Sequence, residues 1–106
     1  MSSIPELRRP PSTASEITEL VKFATDVTSG LVLPDGVYCF DREWADPTLR
    51  GRSPRYTLMV GLGFDRAERA GYAVPRRVAE LIDVVLRHPG QLTPGDRGLV
   101  LWLCAR

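Results

Sequence analysis

The sequence contains few of the residues from which metal and redox sites are built. Among its 106 residues are two cysteines, Cys39 and Cys104, and one histidine, His88. The cysteines are too far apart to form a metal-binding or redox-active pair, and no Cys or Asp stands at ligand spacing from His88. We therefore expect no metal and no cofactor. We expect two buried, reduced thiols, which are typical of a cytoplasmic protein, and we predict that location.

Long apolar runs and an excess of one charge are also lacking. No segment approaches the ~18 apolar residues that a membrane helix requires, and the N-terminus has no apolar stretch of the kind found in signal peptides. The net charge is +1, which favours neither nucleic acid nor a membrane as a partner. Lysine is nearly absent: Lys22 stands beside 13 arginines, which we interpret as a compositional bias.

Sequence signatures of common active sites are missing as well. There is no P-loop, no GxGxxG, no HExxH and no CxxC pattern. The segment Gly61-Leu62-Gly63 lacks the preceding strand that a dinucleotide site needs. Ser53 has no histidine near it in the sequence, so we interpret it as a helix cap and not as a nucleophile. No complete active site is readable from the sequence.

Helical periodicity and helix caps predict a mainly α protein. Four helices are expected, at about residues 13–29, 54–70, 75–88 and 94–105. Thr13, Ser53 and Thr93 are N-cap residues at three of the starts, and Pro75 suits the first turn of the third helix. Gly71 suits the left-handed position that ends the second helix.

The predicted helices differ in how much of their surface is apolar. The first and third are amphipathic, and the first carries one apolar stripe that we expect to be buried, formed by Ile17, Leu20, Val21, Ala24, Val27 and Leu31. The second and fourth are apolar nearly all round, which predicts burial on several sides, Trp102 included. Gly61 and Gly63 each cost about 1 kcal/mol within a helix, so we expect a neighbouring helix to approach closely there.

The remaining segments predict a tail, a turn and a loop. Residues 1–12, rich in Pro and Arg, are expected to form a flexible tail, followed by a single helical domain over residues 13–106. Apolar β-formers flank Pro34-Asp35-Gly36, which predicts a short β-hairpin or extended turn near residues 31–40. Residues 41–52 form the longest irregular connection, and such loops are often functional.

Candidate site residues cluster in and beside this loop. Carboxylates that could serve as acid and base are Asp41, Glu43 and Asp46, and candidate ligand-binding residues are Trp44, Arg50, Arg52 and Arg55. Guanidinium groups beside a helix start could hold a phosphate or carboxylate. The alternative is that these arginines form ion pairs with the carboxylates of the same loop.

Three segments, LPDGVYCF, RSPRYTLMVGLG and PGDRGLVLWLCAR, resemble the opening hairpins of α/α-toroid proteins. This group includes six-hairpin glycosidase-like and terpenoid-cyclase-like proteins, and the resemblance covers roughly residues 15–106. It implies that the chain supplies about the first third of a larger ring, as a truncated or fragmentary product. Carbohydrate or isoprenoid chemistry would then belong to the complete ring.

Two further hypotheses belong to other functional classes. The chain could be a small helical interaction module that binds a second copy, or a downstream helical segment, through its C-terminal helix. The residues expected in that interface are Leu99, Val100, Trp102 and Leu103. Alternatively, it could be a small carbohydrate-active hydrolase that uses the loop carboxylates, one as acid and one as base or nucleophile.

Overall fold

The computed structural model describes residues 13–105, and it confirms a mainly α fold with four α-helices. They are α1 (Ala14–Ser29), α2 (Pro54–Arg69), α3 (Val78–Leu86) and α4 (Pro94–Ala105), and a short 3₁₀ helix (Pro89–Gln91) joins α3 to α4. The tail predicted for residues 1–12 lies outside the described residues.

Hydroxyl side chains cap the first two helices, as predicted. The Thr13 hydroxyl accepts a hydrogen bond from the backbone N–H of Glu16 at 3.1 Å, and the Ser53 hydroxyl accepts one from the N–H of Tyr56 at 3.0 Å. Each bond satisfies a backbone donor that has no partner within its helix. The sequence therefore located the starts of α1 and α2 through local chemistry alone.

The end of α2 also follows its sequence. Gly71 has a φ of 94°, the left-handed conformation that was predicted. Its N–H donates to the carbonyl of Glu68 at 3.0 Å, and the N–H of Tyr72 donates to the carbonyl of Ala67 at 2.9 Å. This pair of bonds is the Schellman motif, which satisfies carbonyl groups of the last helical turn.

The third helix begins later than predicted, at Val78 and not at Pro75. Val74 has no side-chain oxygen to cap a helix that starts at Pro75. Arg76 instead donates from Nη1 to the carbonyl of Gly36 at 2.9 Å and from Nε to Glu80 of the helix at 2.7 Å. This contact with a distant turn holds the segment outside the helix, and Arg77, in an extended conformation, becomes the N-cap.

An extended turn precedes α2, as predicted near residues 31–40. A single antiparallel bridge joins Val32 and Tyr38. Gly36 has a φ of 92°, and the carboxylate of Asp35 accepts a hydrogen bond from the N–H of Val37 at 3.1 Å. Asp and Gly thus shape the turn as expected, and Val37 leads the chain into the core, where it is fully buried.

The core forms where α3 and α4 pack against α2. Leu58, Leu81 and Leu103 come from the three helices and are fully buried. A Cβ atom at Gly61 would lie 3.4 Å from Leu81 Cδ1 and 3.8 Å from Leu103 Cδ1. The expected close approach of neighbouring helices is therefore confirmed at Gly61.

The burial predicted for α1 is not found. No residue of α1 is buried, although its apolar stripe lies along one side of the helix. Half-buried side chains such as Val21 and Thr28 mark the side that faces α2. Because α3 and α4 already cover the buried side of α2, α1 meets only the outer flank of that helix and leaves much of its own stripe exposed.

The start of α4 is a reciprocal capping box. The Thr93 hydroxyl accepts a hydrogen bond from the N–H of Asp96 at 3.1 Å, and the Asp96 carboxylate accepts one from the N–H of Thr93 at 3.0 Å. Arg55 of α2 donates to the same carboxylate. Asp96 is buried, so this carboxylate joins the starts of α2 and α4.

Protonation of Asp96 should therefore destabilise the fold. Burial raises the pKa of this carboxyl, but hydrogen bonds from Arg55 and Thr93 hold the pKa below its ordinary value. A pKa lowered by folding contributes stability above the unfolded-state value of about 3.9, and that contribution is lost as the pH falls through the folded-state pKa. Asp96→Asn should cost about 1 kcal/mol at pH 7 and flatten the decline in stability below about pH 4. Urea unfolding across this pH range tests it, and an unchanged pH profile would contradict it.

Candidate functional site

The predicted site loop is closed by an antiparallel bridge between Asp41 and Arg50. Arg50 Nε donates to Asp41 Oδ1 at 2.7 Å, and Arg50 Nη1 donates to Glu43 Oε1 at 3.3 Å. All three side chains are exposed. The structure thus brings two of the three predicted carboxylates together around an arginine, in the ion pairing that was the alternative to ligand binding.

Asp46 and Trp44 are placed differently from that cluster. The backbone N–H of Thr48 donates to the Asp46 carboxylate at 2.9 Å, and this bond, with the Thr48 hydroxyl, holds the pKa of Asp46 below its ordinary value. The Trp44 side chain is 95% exposed. Catalysis by the loop carboxylates and ligand binding by Trp44 stay predictions.

The other two predicted arginines bind carboxylates outside the loop. Arg52 Nε donates to Asp35 Oδ2 at 2.6 Å, and its guanidinium also donates to Gln91. The hydrogen bond from Arg52 holds the pKa of Asp35 below its ordinary value. Arg55 pairs with Asp96 at the start of α4. Both arginines therefore link segments that are distant in the sequence, and neither pairs with a carboxylate of residues 41–52.

The largest group of exposed apolar side chains lies on α1 and α2. On α1, Leu20, Phe23 and Val27 follow at i, i+3 and i+7 and are 53%, 66% and 48% exposed; on α2, Tyr56 and Met59 are 41% and 53% exposed. Phe40 stacks on Tyr56, with ring centroids 5.6 Å apart and planes within 9°. We call these six side chains the α1–α2 face.

An apolar groove runs between the two helices beside this face. It has a volume of about 240 Å³ and is lined by Val21, Ala24, Thr25 and Thr28 of α1 and by Val60, Gly63, Phe64 and Ala67 of α2. A second cleft, of about 340 Å³, continues it past Thr28 and Val60 to Phe40 and Tyr56. The end of α1 thus lies beside the start of α2, so the helices are antiparallel.

The exposed rows of the two helices lie on the same side of the groove. Each residue advances an α-helix by 100° about its axis. On this scale Leu20, Phe23 and Val27 are rotated from the groove residues of α1 toward smaller angles. Met59 is displaced from the groove residues of α2 in the same sense, and Tyr56 lies at the angle of the groove residues themselves. When two helices are antiparallel, rotation in the same sense from the groove leads to the same side of the helix pair. The α1–α2 face is therefore an apolar region to one side of the groove, with Phe23 at its outer edge, rotated away from α2.

Gly63 leaves a notch in this surface. A Cβ atom at Gly63 would have no neighbour within 4 Å among the described residues, so the close approach predicted from the sequence is not found there. The glycine nevertheless lowers helix stability by about 1 kcal/mol relative to alanine. No packing contact within the described chain compensates for that cost, in contrast to Gly61, which touches two leucines.

Charged side chains stand near the face on both helices. Glu19 precedes Phe23 by one helical turn on α1, and Asp26 follows it by three residues. On α2, Arg66 continues the row of Met59 and Gly63. Glu19, Asp26 and Arg66 form no ion pair within residues 13–105. Lys22 stands one helical turn from both Glu19 and Asp26, so the charges along this part of α1 are mixed.

The residues of the C-terminal helix that were expected to bind a partner differ in burial. Val100 and Leu103 are buried in the core, and Leu99 packs against it. Trp102 is 55% exposed and its neighbour Leu101 is 70% exposed, so the burial predicted for Trp102 is wrong. An interface on α4 would have to use these two outward side chains.

The two thiols also differ. Cys39 is buried, as expected, but Cys104 on α4 is exposed, and both are free. Within residues 13–105, no group of three His, Cys, Asp or Glu side chains is arranged to hold a metal ion. No helix of this part of the chain has both the length and the apolar character needed to cross a membrane.

Comparison with known proteins gives no relative from which a function could be transferred. The chain matches no protein-family model, no curated protein and no solved structure.

Proposed function

We propose that the protein is a small helical interaction module that binds an apolar protein surface through the α1–α2 face. The observation that carries this proposal is the exposure of α1: it has an apolar stripe but no buried residue. Amphipathic helices normally bury that stripe, and large contiguous apolar patches on proteins mark interaction sites. A partner that covers the face would bury the apolar side chains that the chain itself leaves exposed.

The composition of the face suits a protein partner. Phe23, Phe40, Tyr56 and Met59 belong to residue types that are enriched at protein interfaces, and they are more than half of the face. The groove between α1 and α2 has the form that receives an apolar helix in helix-in-groove recognition. The stacking of Phe40 on Tyr56 fixes two of these rings before binding, which lowers the entropy lost on association.

The main interface is placed on α1 and α2, and α4 is a lesser surface. Of the residues expected in an interface on the C-terminal helix, Trp102 is the exposed one. With its neighbour Leu101 it gives two outward apolar side chains, against six on the α1–α2 face. A cytoplasmic location is part of the same proposal, because both cysteines are free thiols and free thiols are typical of a reducing compartment.

A second candidate function is the opening segment of an α/α-toroid. Its support is the packing of α3 and α4 against α2, with Gly61 at the contact, and the outward Leu101 and Trp102 where a further hairpin could pack. The candidate predicts that the reading frame downstream encodes more helical hairpins. Absence of such hairpins, together with cooperative unfolding of the purified chain, would contradict it.

The double variant Leu20→Ser/Phe23→Ser tests whether the face is a free binding surface. Both side chains are exposed, so the free energy of unfolding should change by less than about 1 kcal/mol. Binding of an apolar fluorescent dye should fall severalfold, because the dye would lose the largest exposed patch. Both are measured on dilute protein, at a concentration where any assembly has dissociated.

Leu86→Ser is the matched control, since Leu86 is an exposed leucine on α3, away from the face. It should leave dye binding unchanged. If the double variant unfolds or loses several kcal/mol, the two side chains belong to the core of the chain and the proposed interaction surface does not exist.

A further inference from the structure

We infer that α1 is a hinged arm that rocks about Gly30, and that this motion sets the width of the groove between α1 and α2. The inference rests on the proposed function for the purpose of the motion, because a partner is proposed to enter that groove. Its support is the narrow line along which α1 meets the rest of the described chain, the open space on both sides of that line, and the conformation of Gly30.

The contact of α1 with its neighbours follows one line of half-buried side chains, Val21, Thr25 and Thr28. The groove of about 240 Å³ lies on one side of this line. On the other side, between α1 and residues 72–75, lies a cleft of about 440 Å³, which we call the rear cleft. Val21 and Thr25 line both spaces. Protein interiors are normally packed without such gaps, so a helix flanked by two of them has room to rock on its contact line.

Hydroxyl groups on the contact line do not tie α1 to its neighbours. Thr25 Oγ1 donates to the carbonyl of Lys22 at 2.9 Å, and Thr28 Oγ1 donates to the carbonyl of Thr25 at 2.9 Å. Both donors are therefore used within α1 itself. The contact line is held by apolar burial, which has no preferred direction, so it resists a rocking motion less than hydrogen bonds between the two sides would.

The two sides of the contact line differ in polarity. On the groove side stands Ala24, and Leu20 comes next around the helix. On the side of the rear cleft stand Lys22, Asp26 and Ser29. Rocking toward the groove therefore presses apolar side chains of α1 against α2 and turns polar ones to water. Rocking toward the rear cleft opens the groove to an apolar partner.

The hinge lies at Gly30, the C-cap of α1. Its φ of −82° and ψ of 0° suit most residues, and a Cβ atom there would meet one backbone oxygen of α1 at an ordinary 3.5 Å. Neither the turn nor the packing requires glycine, which leaves the backbone free to move. The chain is fixed directly beyond it, because the carbonyl of Leu31 accepts a hydrogen bond from the N–H of Cys39 at 3.0 Å and Val32 forms a bridge with Tyr38. Hinges commonly lie at such helix-terminal positions.

Two pairs of introduced cysteines test whether α1 reaches both positions. Cys104→Ser first removes the exposed native thiol. Ala24→Cys/Gly63→Cys then spans the groove, and Lys22→Cys/Ala73→Cys spans the rear cleft. A disulfide forms when the two Cα atoms come within about 7 Å. Both pairs should oxidise, and circular dichroism should show the same helix content before and after, because α1 moves as an intact helix.

The bridge across the rear cleft should widen the groove, although none of its atoms lies in the groove. Binding of the apolar dye should therefore rise severalfold over the reduced form of the same variant, which is the control. Failure of either pair to oxidise, loss of helix on oxidation, or equal dye binding by the oxidised and reduced forms overturns the inference.

Gly30→Ala tests the position of the hinge. Alanine fits the folded conformation but restricts the backbone, so both bridges should form about two- to five-fold more slowly. Gly98→Ala, at an open position of α4, is the control and should leave both rates unchanged. Equal rates in the two variants would show that α1 does not pivot at Gly30. The dye-binding result with Leu20→Ser/Phe23→Ser decides separately whether the face is a binding surface at all.

Discussion

Replacing Gly51 with alanine should lower the free energy of unfolding by about 2–4 kcal/mol. Gly51 has a φ of 74°, where a side chain costs about 1–2 kcal/mol. A Cβ atom at this position would also lie 2.7 Å from the Cβ of Phe40, and relief of such overpacking costs typically about 1–3 kcal/mol. Urea unfolding followed by circular dichroism measures the loss.

The Gly51 variant should also affect the α1–α2 face. Moving Phe40 to make room disturbs its stacking on Tyr56, so dye binding to the face should change together with stability. Gly98→Ala is the control: a Cβ there has no neighbour within 4 Å in the described chain, and the added helix propensity should raise stability by up to about 1 kcal/mol. Equal effects of the two substitutions would contradict the described loop geometry.

Leu81→Ala should cost about 3–5 kcal/mol, the range for large-to-small changes in a well-packed core. Leu81 is fully buried, and its Cδ1 fills the space in front of Gly61 on the central helix. The cavity left behind would lie at the contact of α2 and α3, where the backbone of neither helix can move without disturbing the other. Chemical unfolding gives the difference directly.

Leu86→Ala is the matched control for this prediction, because Leu86 lies on the same helix and is exposed. It should cost less than about 1 kcal/mol. Similar losses for both leucines would mean that α3 does not pack on α2 as described, and the position of the core would have to be revised.

Local features of this fold could be predicted from the sequence. The caps at Thr13 and Ser53 and the turns at Gly36 and Gly71 depend on residues within a few positions of each other, and the structure confirms all four. Such signals are readable because their chemistry is complete within one short segment. The order and type of the helices follow from them.

Features set by distant contacts could not be predicted. Arg76 delays the start of α3 because it binds the carbonyl of Gly36, 40 residues away. Arg55 pairs with Asp96, 41 residues away. No residue near Arg55 in the sequence indicates that it pairs outside the loop at residues 41–52. Hydrophobic periodicity showed that α1 has an apolar stripe, but a periodic stripe does not reveal whether the chain itself covers it.

The candidate site illustrates the same limit. Sequence reasoning directed attention to the charged loop at residues 41–52, because several ionisable groups stand close together there. The α1–α2 face was missed, since Phe23 and Met59 look like ordinary members of amphipathic or apolar helices. The unexplained glycine at position 63 was the one available signal, and it became informative only when the space around it was known.

Amide hydrogen exchange tests most directly whether the described chain leaves α1 uncovered. Amides of α1, residues 14–29, should exchange faster than those of α2, because no residue of α1 is buried and elements with few buried contacts open at a low cost in free energy. Binding of an apolar protein partner to the face should slow the exchange of α1 and change that of α3 much less. Exchange of α1 as slow as that of α2 in the free chain would contradict the central claim that the chain itself does not cover this helix.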